Sequence, residues 1–283
     1  KRINQGNVLD IPESMAQVIV IIGSPRKMGN SYKIAKRIEE RIKKQGNVEF
    51  SYLFLKDAHL ELCRGCGLCL SVGDDRCPLK DDREAIEKQM LESDGVIFVS
   101  PVYVMNITAL MKNFLDRFAY AFHRPRFFGQ KAMIVCTTGA LGLREAIARL
   151  SVIQYAGFDL VHTAGFCTPD GNVSLKSKRK IDDGIDRAAL IFFKALQSSD
   201  PRSPKLTSLI AFRSQQAAFA ASHEYNLAQS DYNYFKEKGW LEASRKYYVD
   251  AKINPIENLI AVLVGKFARR KALEDLQGVP WKS

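Results

Sequence analysis

The sequence predicts a doubly wound α/β fold built on a parallel sheet, followed by a helical C-terminal extension. Three observations carry this reading. An unbroken apolar, β-branched run at Ala16–Ile22 ends in a glycine turn; strand-like and helix-like segments then alternate to about residue 167; and strand signals cease after residue 206. A strand buried on both faces reads as a continuous Val and Ile run. Strands alternating with helices of about 10–15 residues are the pattern of βαβ units, whose crossovers place helices on both faces of one sheet.

The elements follow in order. Residues 32–44 read as a helix, with Ile34, Ala35, Ile38 and Ile42 at helical spacing and Gly46-Asn47 to end it. Residues 48–55 read as the second strand. After a cysteine-rich loop come a helix over 81–91, a strand over 95–100, a helix over 108–118 and a strand over 131–137. A helix over 143–155, a fifth strand over 159–167 and a helix over 181–196 complete the unit. Ser, Asp and Pro between 198 and 204 mark a linker. The expected organisation is an N-terminal arm (1–14), the α/β domain (15–198) and a helical extension (199–283) rich in aromatics such as Tyr234, Trp240 and Tyr248.

Composition bounds the function. The chain has 283 residues, 46% hydrophobic and 26% charged, which is globular and excludes disordered, collagen-like and coiled-coil classes. The net charge of +11, from 42 Lys and Arg against 31 Asp and Glu, is either a solvated basic surface or an attraction for phosphate cofactors, acidic redox proteins or anionic lipid. No nucleic-acid motif accompanies it. Apolar runs fall short of the roughly 20 residues a membrane span needs, and residues 1–13 do not read as a secretory signal. The expectation is a cytoplasmic protein whose six cysteines are reduced or metal-bound.

The turn after the first strand, Gly23-Ser24-Pro25-Arg26-Lys27-Met28-Gly29-Asn30-Ser31, runs straight into a helix. Glycines let the backbone come close to a ligand, Ser24 and Ser31 offer hydroxyls, Arg26 a charged donor, and the helix start offers unpaired N–H groups with a favourable dipole. These features suit a phosphate. The alternative is an ordinary turn with Asn30 or Ser31 capping the helix. Neither G-x-x-x-x-G-K-[ST] nor G-x-G-x-x-G is present, so neither an NTPase nor a dinucleotide-binding site is supported.

Three segments together resemble the flavodoxin-like NAD(P)H-dependent FMN reductases, a family that includes multimeric flavodoxins and iron-sulfur flavoproteins. They are Gly23-Ser24-Pro25-Arg26 with Gly29-Asn30-Ser31; Ser100-Pro101-Val102-Tyr103 with Thr108 and Lys112-Asn113-Phe114-Leu115-Asp116-Arg117; and Thr137-Thr138-Gly139. The resemblance implies a flavodoxin-like five-stranded parallel sheet with FMN at its switch point. In that reading Ser24, Arg26, Gly29, Asn30 and Ser31 hold the phosphate. Pro101, Val102, Tyr103 and Asn106 flank the ring on one side, and Thr138, Gly139 and Leu141 on the other. Plain alternatives stand beside these roles: packing for Tyr103, helix capping for Asn106, a simple turn for Thr138-Gly139, and a structural task for Lys112 to Arg117.

Flavin carries redox chemistry itself, so no catalytic side chain is nominated. The resemblance implies hydride transfer from NADH or NADPH to the flavin and onward reduction of a quinone, a free flavin or a redox protein, in a homodimer or homotetramer. A non-catalytic electron carrier between protein partners is the alternative.

The spacing Cys63-x2-Cys66-x2-Cys69-x7-Cys77-Pro78 brings together the four thiolates that an iron–sulfur cluster or a tetrahedral zinc needs. It also resembles the compact motif of the iron-sulfur flavoproteins, which implies a [4Fe-4S] cluster. Zinc, or cysteines without metal at a subunit contact, are the other readings. Cys136 and Cys167, in or near predicted strands, are expected to be buried small apolar residues. For the extension, packing on the α/β domain or on a partner subunit is expected. The apolar stretch with Lys266, Arg269, Arg270 and Lys271 makes peripheral membrane contact the alternative.

Overall fold

The computed structural model describes residues 15–169, 171–198 and 203–277. The arm at 1–14 and the linker positions 199–202 lie outside the described residues. In chain order the elements are β1 (Ala16–Ile22), α1 (Asn30–Lys43), β2 (Val48–Phe54), α2 (Leu68–Ser71), α3 (Arg83–Glu92), β3 (Gly95–Pro101), α4 (Ala109–Arg117), α5 (Ala119–His123), β4 (Lys131–Thr138), α6 (Leu143–Leu150), β5 (Asp159–Cys167), α7 (Leu175–Leu196), α8 (Leu206–Glu224), α9 (Gln229–Glu237) and α10 (Pro255–Leu276).

The five strands form one parallel sheet in the order β2-β1-β3-β4-β5. It is the flavodoxin-like arrangement the sequence predicts. Alternation along β1 explains both faces. Val18, Val20 and Ile22 point to the layer of α1 and α7, where Ile34, Ile38, Ile185 and Phe192 are buried. Ile19 and Ile21 point the other way, to Ile86 of α3, Met111 and Phe114 of α4 and Leu150 of α6. Each such side chain, fully buried, contributes about 1.5–3 kcal/mol. β3 is buried along its whole length, as a central strand covered on both sides must be.

Several boundaries differ from expectation for visible reasons. α7 begins at Leu175, ahead of the predicted start at 181, because Ser174 caps it by accepting from Ser177 N–H. Its basic first turns carry no apolar periodicity that could reveal them. The helix expected over 143–155 ends at Leu150 and continues as a 3₁₀ segment, Ser151–Ala156, closed by Gly157 at φ +108°. Cys136 is buried in β4, where burial pushes its thiol up to about 12. Cys167 is exposed rather than buried, since it ends an edge strand whose alternate residues Thr163, Gly165 and Cys167 face outward.

The extension has its own aromatic core of Phe212, Phe219, Phe235, Trp240 and Tyr248, against which Phe128 of the α/β unit packs. α10 lies along α8, so close at Gly265 that an added Cβ would stand 2.9 Å from Arg213 Cβ. Its outer side shows Ile256, Leu259, Leu263 and Phe267 exposed. Among the described residues no helix is long and apolar enough to cross a membrane.

Candidate functional site

β1 lies between β2 and β3, so the chain leaves it in one direction and returns on the other side. The crevice beyond the carboxyl ends of β1 and β3 is where such sheets bind ligands. A pocket opens there, lined by Ser24, Arg26, Gly29, Asn30, Ser31, Pro101, Val102, Tyr103, Thr137, Thr138, Gly139 and Thr168. Of the residues expected from the sequence, only Asn106 and Leu141 are not in its lining. Asn106 uses its side-chain oxygen to accept from Ile107 N–H and faces a neighbouring groove. Leu141 is exposed, and its carbonyl accepts from the Thr138 hydroxyl at 2.6 Å.

The floor of the pocket is the start of α1. Gly29 is the N-cap, with extended backbone and no side-chain cap, and no acidic residue occupies the first turn. The helix therefore presents its unpaired N–H groups and the positive end of its dipole uncompensated. Neither Asn30 nor Ser31 caps it. Asn30 instead donates through Nδ2 to the Thr168 carbonyl at 2.9 Å, and the Ser31 and Thr137 hydroxyls share a hydrogen bond of 2.7 Å. These bonds tie the loop to the ends of β4 and β5. Ser24 Oγ accepts from Arg26 N–H at 3.1 Å, folding the loop back on itself. Thr108 anchors the turn from the next helix, donating to the Gly23 carbonyl at 2.6 Å while accepting from Met111 N–H.

The wall after β3 is a two-residue hairpin. Tyr103 and Asn106 exchange main-chain hydrogen bonds of 2.8 and 3.0 Å, and between them Val104 and Met105 adopt φ of +48° and +61°. A β-branched residue in the left-handed region is strained, and such strain persists where a surrounding site over-determines it. Val104 is 97% exposed, so packing is not what holds it there. Gly142, at φ +89°, backs this hairpin: a Cβ on it would meet Val102 Cγ1 at 2.7 Å and Met105 Cα at 3.0 Å. Gly142→Ala should lower apo-protein stability by about 1–3 kcal/mol. By displacing the hairpin it should also weaken flavin binding about tenfold, as read by titration of FMN fluorescence quenching.

A second site lies beside α4. Cys63, Cys66, Cys69 and Cys77 line one cavity of about 140 Å³, together with Arg83, Asp116, Arg117 and Tyr120. All four cysteines are free. Gly65 and Gly67, at φ +63° and +72°, let the loop wind round the cavity. α4 holds the loop from below. Asn113 Oδ1 accepts from Cys63 N–H at 2.9 Å, and Arg117 donates to the Glu61 carbonyl at 3.0 Å and approaches Cys77 Sγ at 3.8 Å. Thus Asn113 and Arg117 of the Lys112 to Arg117 stretch do structural work on the cysteine loop. Arg117 is paired in turn with Asp81, both side chains almost wholly buried.

Burial raises the Cys69 thiol, the neighbouring Cys77 and Cys63 raise it further, and Arg124 opposes them. Among the described residues, no three His, Cys, Asp or Glu side chains converge on a single metal position. A cluster asks for something different, one thiolate for each iron around a shared space. Four cysteines lining one cavity, with Arg83 and Arg117 beside them, supply the number and kind of donors such a cluster needs.

The fold and the family it matches together define the class: a flavodoxin-like, flavin-dependent oxidoreductase. The chain belongs to the NADPH-dependent FMN reductase family, whose model matches residues 16–165. It is 28% identical over 229 residues to an iron-sulfur flavoprotein of Archaeoglobus fulgidus, covering 80% of this chain and all of that protein. It is 39% identical over 101 residues to an iron-sulfur flavoprotein of Methanocaldococcus jannaschii, covering 36% of this chain and 51% of that one. Among solved structures, an azoreductase from Bacillus anthracis superposes with a TM-score of 0.50 at 18% identity, covering 64% of this chain and 100% of that one. That last likeness concerns the fold alone.

Two lining residues were not nominated from sequence. Thr137 sits at the end of an apolar strand and reads as part of it. Thr168 follows β5, 138 positions from the Asn30 it bonds, and nothing local marks it.

Proposed function

We propose that the chain is an FMN-dependent NAD(P)H oxidoreductase, with the flavin unit at 15–198 and the helical extension at 199–283. In this reading it takes electrons from a nicotinamide and delivers them to a quinone, a flavin or a redox protein. The observation that carries the proposal is the uncapped N-terminus of α1 opening into a pocket whose walls are the loops after β3 and β4. FMN bound there would supply the hydride-accepting and electron-passing chemistry.

The chain supplies the seat. First-turn N–H groups of α1 and the hydroxyls of Ser24 and Ser31 are placed to hold a phosphate, and Arg26 adds a charge at the rim. Pro101 to Tyr103 and Thr137 to Gly139 give main-chain groups and an aromatic side chain to orient a ring and keep water from one of its faces. Tyr103 is 40% exposed, which leaves room for a second reactant beside it. The basic chain, at +11, suits an anionic nicotinamide or an acidic protein acceptor.

Cys63, Cys66, Cys69 and Cys77 are assigned to a [4Fe-4S] cluster, supported by their shared cavity and by the two relatives described as iron-sulfur flavoproteins. Those relatives also favour a second reading, an electron carrier between protein partners. A homodimer or homotetramer in the cytoplasm is the assembly expected. One experiment separates the readings: FMN-supplemented protein, mixed anaerobically with NADPH or NADH, should lose its visible flavin absorbance within seconds. Bleaching by a reduced partner protein but by neither nicotinamide would establish the carrier. Failure to take up FMN at all would remove both.

A further inference from the structure

The C-terminal helices are fastened to the stretch 122–125, whose Arg124 bonds the main chain of Cys69. Arg124, just past α5, and Asp231, on α9, are each 2% exposed. Arg124 Nη1 donates to Asp231 Oδ1, while Nη2 donates to the main-chain carbonyl of Cys69 and, at 3.2 Å, to Asp74 Oδ1. The other oxygen of Asp231 pairs with His123 Nδ1 at 2.8 Å. Two further bonds fasten the extension to the same stretch: Tyr234 Oη donates to the Pro125 carbonyl at 3.0 Å, and Gln215 Nε2 to the Phe122 carbonyl at 2.6 Å.

A guanidinium is a rigid planar fork, so fixing one prong fixes the direction of the other. Asp231 holds one end of Arg124, and the other end meets the backbone of a cysteine. Without Asp231 a buried cation would lose one of its two counter-charges and be held by Asp74 alone, at the Nη2 end.

We propose that Asp231 is a positioning residue for the cysteine site: by aiming Arg124 at the Cys69 main chain, the C-terminal extension sets where this thiol stands, and so how firmly the site holds its cluster. The cluster part rests on the assignment made above; the mechanical part does not.

The test uses full-length, FMN-loaded protein as wild type, Asp231→Asn, Asp231→Glu, and Arg124→Gln combined with Asp231→Asn. In iron-free protein, alkylation of each cysteine is followed by peptide mass spectrometry, with buried Cys136 as internal control. Asp231→Asn should speed alkylation of Cys69 at least about threefold, as expected for a loop that opens more often. Cys136 labelling and FMN affinity should stay unchanged, and Asp231→Glu should restore most of the protection. After anaerobic reconstitution with iron and sulfide, Asp231→Asn should also lose its cluster to a chelator faster and show a displaced midpoint potential. If wild type takes up no iron and sulfide, the cluster assignment falls, and the alkylation rates still decide the positioning role. Equal Cys69 rates in wild type and Asp231→Asn overturn the proposal. Should the single variant not fold, the double variant, which removes both buried charges, decides by the same comparison.

Discussion

Gly29→Asp should abolish useful FMN binding while leaving the protein folded, with its stability changed by no more than about 1 kcal/mol. The backbone at Gly29 is extended, φ −73° and ψ 177°, so no left-handed strain opposes a side chain, although a Cβ would stand 3.3 Å from the Arg26 carbonyl oxygen and the loop must give by a few tenths of an ångström. A Cβ there lies 3.8 Å from Ser24 Oγ and 3.3 Å from Arg26 Cβ, inside the pocket. Asp is among the best N-cap residues, and its carboxylate would accept from the first-turn N–H groups that now have no side-chain cap, gaining about 0.5–1 kcal/mol. The same carboxylate would occupy the anion seat and repel a phosphate a few ångströms away. At an effective dielectric of about 20, that repulsion is worth several kcal/mol, or a loss of roughly a thousandfold or more in affinity. Flavin fluorescence titration and apo-protein calorimetry measure the two effects separately. Undiminished FMN binding by a folded Gly29→Asp protein would place the phosphate elsewhere.

Asp81→Asn should be the most destabilising change around the cysteine loop. Asp81 and Arg117 have side chains 0% and 1% exposed, and removing one partner of such a pair leaves a buried charge uncompensated, at a cost of about 3–5 kcal/mol. This is a large share of the roughly 5–15 kcal/mol that holds a domain folded. Asp81 also accepts from Glu61 N–H at 2.8 Å and Arg83 N–H at 3.2 Å, so both flanks of the loop loosen with it. Burial works to raise the Asp81 carboxyl, but Arg117 and these backbone donors outweigh it and hold it below the ordinary carboxylate range. Its stabilising contribution is therefore complete above about pH 4 and is lost as the pH falls through the depressed folded value. Urea unfolding midpoints across acidic pH should show the gap between wild type and Asp81→Asn closing on acidification. A gap of constant size would mean that the pair does not stabilise through its charge.

The sheet was legible because β1, β3 and β4 are unbroken apolar runs, and because glycine and helix signals punctuate them. The loop at 23–31 that lines the pocket was legible because its Ser, Arg, Gly and Asn residues lie within nine consecutive positions. What sequence could not show is what lies far apart along the chain. Asn113 and Arg117 look like ordinary helix residues until the loop at 61–63 is seen resting on them. The short helices α2 and α5, of four and five residues, have too few turns to show a period. Arg124 and Asp231 are separated by 107 positions, and neither carries a local pattern that announces the other. The cysteines declared themselves by spacing; Arg83 and Arg117, which line the same cavity, did not.

The long span between Arg124 and Asp231 also has a consequence in time. A ribosome adds about 5–20 residues per second and domains fold largely as they emerge, so the sheet and the last of the four cysteines exist on the order of ten seconds before α9 is synthesised. During that interval Arg124 has only Asp74 as a carboxylate partner beside the Cys69 main chain. Synthesis of α9 then supplies the carboxylate that locks the guanidinium in place.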